Sequence, residues 1–459
     1  MSEPTPDPAA GGAGLTAFAP GLQPTATPAN VAEEAAALLV EGRADQFEAD
    51  DRPRVGAGYI WLMVLAQFGI FVGMVSAIGY SLSVKIVDIA PESTGLLGVV
   101  TGLGAAALVV LGPIVGTLSD RTRARLGRRR PWIIASIPVG LAGFLIVAIA
   151  PNVAVMVVGW MLVQLGFGTA LAMLSNSMAD QLPASQRGKV AGLAGIAQMA
   201  ASIIGVAIAS MFTFSSLLLF LIPGGVGAIL GLLFVFFVRE ADSRSQELPQ
   251  PLTAKAVLSK YVFDVRKHSD FSWNWLGRFL FNFGLTVSTT FTTLFFASKL
   301  GTPVDEIGGI VAITGVIGIV ATMGGAGLSG FLSDKLRRRR VFVFGSGVLF
   351  AAGSLVMVVA PDLTVLLAGT FIANLGLGVF SAVDQALVLD VLPERDTQAG
   401  RYNAINQFST TVPQALAPLA ASLILAIAGS STYWILYVMA ALFALVGGIL
   451  ILSRVKGVR

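Results

Sequence analysis

Long apolar runs recur along the chain, each about as long as a bilayer's hydrocarbon core is thick. A spanning helix needs about 20 mostly apolar residues. Twelve runs meet that length. The first six lie near 57–80, 96–118, 132–150, 153–178, 190–212 and 217–238. The second six lie near 273–297, 308–330, 341–360, 363–389, 403–428 and 432–452. Short polar turns such as Pro151-Asn152 and Pro361-Asp362 separate them. Barrel strands would alternate apolar and polar residues over about ten positions, and these runs do not. The pattern predicts an all-α integral membrane protein of twelve spanning helices, numbered 1 to 12 in chain order.

The same pattern divides the chain. It predicts an N-terminal tail (1–56), a six-helix bundle (57–238), a polar linker (239–272), a second six-helix bundle (273–452) and a C-terminal tail (453–459). The N-terminal tail is rich in Pro, Ala, Gly and acids. It lacks the basic stretch and apolar core of a signal peptide, and reads as mostly disordered, with room for a short helix over 31–40.

The two bundles repeat. A shift of 210 residues lays 150–183 on 360–393 with 11 identities in 34 positions. Among the repeated residues are Gly159, Gly166, Gly168, Asp180 and Pro183. Six helices repeated in one orientation imply two bundles related by an axis along the membrane normal, with a site between them near the midplane.

Composition agrees and narrows the chemistry. The chain is 55% hydrophobic and 12% charged, where about 25% charged is typical of soluble domains. Of its 30 Lys and Arg, 27 fall in the tails and loops on one side of the predicted topology. That asymmetry puts both termini in the cytoplasm, and the Ala/Gly-rich, Cys-free character suits a bacterial inner membrane. There is no Cys, and the one His, His268, lies in a polar stretch. Thiolate chemistry and a buried His site are excluded. No phosphate-binding loop of the Gly-x-x-x-x-Gly-Lys-Ser/Thr type is present, and one loop His serves no buried triad. The expected protein is therefore no enzyme and carries no cofactor or metal. Its basic loops flank a membrane and need no nucleic acid. The expected partners are lipid and a small-molecule solute, and the expected state is a monomer.

The most specific motif joins helices 2 and 3, from Gly116-Thr-Leu-Ser-Asp120-Arg121 through Arg128-Arg129-Arg130-Pro131-Trp132. It echoes at Gly330-Phe-Leu-Ser-Asp334, and Arg130 falls on Arg340. Gly116 and Gly330 suit close helix approach. Asp120 can accept from a helix N-terminus and pair with an Arg. With Arg121, Arg128, Arg130 and Asp334 they form a candidate conformational gate. The segment resembles the helix 2–3 signature of the major facilitator superfamily, and its Ser-Asp-Arg-Thr-Arg-Ala-Arg form looks most like the sucrose and glycoside–pentoside–hexuronide branch. The resemblance covers residues 57–452. It implies alternating access between two six-helix bundles, a cavity lined by helices 1, 4, 7 and 10, and sugar symport with a proton or another cation.

Charges at membrane depth are costly and mark function by default. Arg278 lies in helix 7, on one face with Asn274 and Asn282, spaced four apart. Asp384 lies in helix 10. Both sit roughly 9 Å in from the cytoplasmic side at 1.5 Å per residue, so an Arg278–Asp384 ion pair is expected. Its carboxylate can take the coupling proton when its partner moves; a static lock of the second bundle is the competing reading. Asp180 and Asp390 repeat before Leu-Pro and read as symmetric end caps near Arg187 and Arg401.

Amides within helices are the candidates for a hydroxyl-rich ligand: Gln67, Gln164, Asn176, Asn374, Gln385, Asn406, Asn274 and Asn282, with Gln407 beside them. Trp160 or Trp275 could stack on a sugar face. The Ser/Thr run 286–293 reads as helix packing. Proton-coupled uptake of a sugar or glycoside is the expected function. A proton-coupled efflux antiporter is the alternative, although helix 5 lacks the Pro that efflux signatures carry. A transport-inactive sensor is the third.

Overall fold

The computed structural model describes residues 53–244, 264–393, 395–429 and 431–457. The expected helix over 31–40 lies outside them. All regular structure among the described residues is helical. The first half holds α1 (Ala57–Ile89), α2 (Pro91–Asp120), α3 (Arg130–Ala148), α4 (Val153–Gln181), α5 (Ala184–Ser210) and α6 (Ser216–Phe237). The second holds α7 (Ser269–Thr290 with Thr292–Leu300), α8 (Gly308–Leu336), α9 (Arg339–Val359), α10 (Leu363–Val391), α11 (Arg395–Ala428) and α12 (Trp434–Arg454). Eleven are long and apolar enough to span a membrane, and α7 makes twelve as a bent pair.

Several helices depart from the expected runs. α1 extends to Ile89 and contains a π turn, Ala77–Ser81. There the Ser81 hydroxyl donates to the Ser76 carbonyl, five residues back. α7 is not one rod: it bends by 52° at Phe291. α5 and α11 begin earlier than hydropathy suggests, because their first turns are polar. The two Pro-containing turns are helix caps. The side chains of Asn152 and Asp362 accept from Val155 and Val365 N–H at 3.0 Å, satisfying one otherwise orphaned donor at the start of α4 and of α10.

Within each half, glycines set the helix spacing. A methyl group on Gly143 of α3 would sit 2.7 Å from the Gly159 carbonyl of α4. Shifted by 210, a methyl on Gly353 of α9 would sit 2.6 Å from the Gly369 carbonyl of α10. Small residues let backbones touch where lipid gives no hydrophobic drive. The repeat is thus a repeat of contacts.

The halves meet through α2 on α11 and α5 on α8. The junction lies at the face away from the basic loops, the far face. Tyr80 donates to the Asp305 carbonyl at 2.7 Å. Thr293 of the second half of α7 donates to Gly79 within the π turn of α1, and Ser422 donates to Gly95 at 2.6 Å. Any side chain on Gly98 would overlap the Pro418 carbonyl.

Gly98→Leu is expected to push α2 off α11 and open the far face. The chain has no cysteine, so a Ser202→Cys reporter would be the sole thiol. A membrane-impermeant thiol reagent added on the far side should label it faster in the Gly98→Leu background. Equal rates would sink the assignment of this junction as the far-side seal.

Candidate functional site

Under the far-side junction lies a chamber of about 200 Å³ between the halves. Trp160 of α4, Ser202 of α5, Thr289 of α7, Ser354 of α9, Asn374 of α10 and Tyr437 of α12 line it. Among the described residues around it, none is charged. The Ser/Thr run of α7 faces this chamber through Thr286, Ser288, Thr289, Thr290 and Thr292, so it is more than helix packing.

Arg278 and Asp384 lie seven residues from the chamber residues Leu285 and Leu377, about 10 Å toward the basic face at 1.5 Å per residue. The structure brings them together. Arg278 Nη1 donates to Asp384 Oδ2, and each side chain is only 1% exposed. Arg278 Nη2 also reaches Thr410 of α11 at 3.5 Å. The other carboxylate oxygen, Asp384 Oδ1, is buried with no hydrogen-bond partner. Between pair and chamber stand Phe281 and Phe380, stacked at 3.7 Å and 6°. Phe350, a chamber residue, packs on the same ring of Phe281 at 5.4 Å. The charges and the chamber are therefore separated by aromatic rings.

The amide candidates divide. Asn374 lines the chamber and donates to the Thr370 carbonyl at 2.9 Å. Gln164, one turn from Trp160, is fully buried with both amide atoms unpartnered. Gln67 accepts from Gln198 at 3.2 Å. Asn282 is held by its own helix, donating to the Arg278 carbonyl at 3.0 Å. Asn274 and Asn406 lie one turn toward the basic face from Arg278 and Thr410, and Asn274 Oδ1 and Asn406 Oδ1 are buried without partners. Asn176 and Gln385 are half-buried near the basic ends of α4 and α10, away from the chamber. Trp275 is no sugar platform: its indole donates to the Ile405 carbonyl at 2.9 Å and its ring stacks on Phe279. Residues missed from sequence include Thr101, Ser354, Thr370 and Tyr437. Short hydroxyls in apolar helices carry no signal of their own.

At the basic face each half closes on one arginine. Arg129, only 7% exposed, binds Asp120 at 2.7 Å and Asp180 at 2.9 Å. Its repeat mate Arg339 binds Asp334 at 3.2 Å and Asp390 at 2.6 Å. Asp180 and Asp390, expected as end caps, are bound by these arginines from the neighbouring loops, and Arg187 donates to the Leu182 and Ala179 carbonyls. Arg130 and Arg340 cap α6 and α12 through the carbonyls of Val235 and Val455. Arg121 is exposed and Arg128 half-buried. Arg129 was detectable, because it too recurs at the 210-residue shift. Gly116 and Gly330 are corrected as well: nothing lies within 4 Å of a methyl placed on either, so neither mediates a close approach in this conformation.

The first half adds Glu240, just past α6. It accepts from the Arg129 N–H at 3.0 Å and from Ser177 at 3.3 Å. Burial raises its carboxyl above the ordinary 4.5, against these hydrogen bonds, which lower it. The folded state therefore holds the proton more tightly than the unfolded chain, and this group's contribution to stability falls as pH rises from 4.5 through the raised value. Glu240→Gln keeps the acceptor and is expected to flatten that slope in thermal unfolding measured across pH; an unchanged slope would overturn it.

The sequence profile of the Major Facilitator Superfamily matches residues 57–330 and 322–458. Among curated proteins, none matches the sequence. Among solved structures, the fold is similar to that of a point mutant of the nucleoside transporter NupG, with TM-score 0.71 and 13% identity over 87% of this chain and 100% of that one. It is also similar to a bacterial homolog of the human lysosomal transporter Spinster, inward-facing and unoccupied, with TM-score 0.64 and 16% identity over 88% and 98%. At these identities the likeness speaks for the fold. Two six-helix halves around a shared chamber, a paired basic-face latch and a profile match over nearly all of the described residues place this chain in the Major Facilitator Superfamily.

Proposed function

We propose that the chain is a secondary active transporter that takes up a sugar or glycoside with a proton, working by alternating access in a bacterial inner membrane. The basic face is taken as cytoplasmic, from the 27 of 30 cationic residues on that side. The conformation described is then open inward: sealed at Gly98, Tyr80 and Thr293, and uncrowded at Gly116 and Gly330.

The single observation that carries the coupling is the buried Arg278–Asp384 pair with one bare carboxylate oxygen. An ionised Asp384 neutralises Arg278. Protonating it leaves a guanidinium charge in a dry interior, and an uncompensated buried charge costs about 3–5 kcal/mol. The protonated protein thus favours any arrangement in which Arg278 finds water or another acceptor. Proton binding and helix movement are coupled by that cost. The solute reaches the same helices through the Phe350–Phe281–Phe380 contacts, without touching the charges.

Asp384→Asn cannot take up or release the proton. In liposomes with an inward proton gradient it should lose accumulation of the transported sugar while keeping solute exchange at equal concentrations. Full gradient-driven accumulation in the variant would sink the coupling assignment. Phe281→Ala removes the ring between pair and chamber, and should let an imposed proton gradient decay without solute. A gradient as tight as that of the unmodified protein would argue against Phe281 as the insulator.

A further inference from the structure

The hydroxyls around the chamber are already committed on their donor side. Thr289 donates to the Leu285 carbonyl at 2.9 Å and Thr290 to Thr286 at 2.8 Å. Thr314 donates to Val311 at 2.7 Å, Thr370 to Leu366 at 2.9 Å and Ser202 to Met199 at 2.7 Å. A hydroxyl has one donor hydrogen and two acceptor lone pairs. With the hydrogen turned into its own helix, each of these groups offers the chamber lone pairs and a methyl or methylene. Trp160, also at the chamber, turns its indole edge onto Gly104 of α2 beside Gln164, so the groups that meet an occupant are these hydroxyls.

Charge narrows the occupant further. No ionised side chain lines the chamber among the described residues. The nearest buried charges, Arg278 and Asp384, neutralise each other and lie behind the stacked phenyl rings of Phe281 and Phe380. A solute carrying a full charge would leave water with nothing opposite to meet it, and such a transfer is strongly unfavourable for an unpaired charge.

Resting on the transport reading above, we infer that the chamber binds an electrically neutral solute rich in O–H or N–H donors, held by the acceptor lone pairs of its Ser and Thr side chains, and rejects the same solute once it carries a carboxylate or an ammonium group. Among sugars this selects neutral glycosides and excludes uronates and aminosugars. The Ser/Thr lone pairs of α7, α8 and α10 accept from solute hydroxyls.

The test is equilibrium binding to purified protein in detergent, read by thermal stabilisation and calorimetry. The probes are neutral phenyl glycosides and nucleosides, each beside its carboxylate and its ammonium analogue. At least one neutral member should bind at least about tenfold more tightly than both charged analogues. Thr289→Val should weaken it by about tenfold, the loss of one hydrogen bond, and Thr370→Val should do likewise while keeping the side-chain shape. Melting of the unliganded variants checks that they fold. A charged analogue that binds as tightly, no binding by any neutral member, or neutral binding untouched by both substitutions would overturn the inference. Binding needs no gradient. A protein that binds a neutral glycoside yet never accumulates it would sink the transport reading alone, and one that accumulates only a charged solute would sink this inference alone.

Discussion

Helices in a bilayer gain little from pressing apolar faces together, because lipid is as apolar as they are. What holds this molecule is backbone meeting backbone at glycine. Gly143 on Gly159 and Gly353 on Gly369 bring α3 to α4 and α9 to α10 at matching positions in the two halves. Those crossings fix where α4 and α10 stand. The helices in turn place Trp160 and Asn374 at the chamber and Asp384 below it. A shift in either crossing would move the site directly.

Symmetry sorts architecture from chemistry. The basic-face latches are duplicated: Arg129 with Asp120 and Asp180, Arg339 with Asp334 and Asp390. So are the capping residues Asn152 and Asp362. The buried pair is not. At the 210-residue shift, Asp384 answers to Leu174, a core residue at 0% exposure. A group that both halves need would recur. A pair that only one half carries, at the cost of desolvating two charges, favours the coupling role proposed for it over a static lock of that bundle. The chamber's asymmetry points the same way, with Trp160 on the first half facing Thr370 at the equivalent place on the second.

Much of this was legible in the sequence, for definite reasons. Span length, the repeat and the side of the basic loops follow from hydropathy and charge, which the bilayer reads directly. Arg278 and Asp384 stood out because charge is rare at that depth. The failures have causes as definite. The bend at Phe291 and the π turn at Ala77–Ser81 leave no mark in an apolar run, so the Ser/Thr stretch of α7 looked like packing. Trp275 looked free until its indole was seen on the Ile405 carbonyl. The latch arginines were overlooked because nearness in sequence favoured Arg187 and Arg401, whereas the fold brings Arg129 and Arg339 in from another loop.

Gly116 and Gly330 are where the sequence and this conformation disagree most usefully. Each sits in the motif at the basic end of its helix, with empty space where a methyl would go. Gly98 and Gly308, at the other face, are crowded: a side chain on one would strike the Pro418 carbonyl and on the other Ser210. Glycine in a helix weakens it by about 1 kcal/mol relative to alanine, and crowding justifies that cost at Gly98 and Gly308 but not at Gly116 and Gly330. The same residue type at the uncrowded face makes physical sense if that face also closes, with the far face then released. The two sets of glycines fit two conformations of one chain, of which the structure holds one. Under the proposed coupling, the Arg278–Asp384 pair, held within one half, is the group that biases the choice between them.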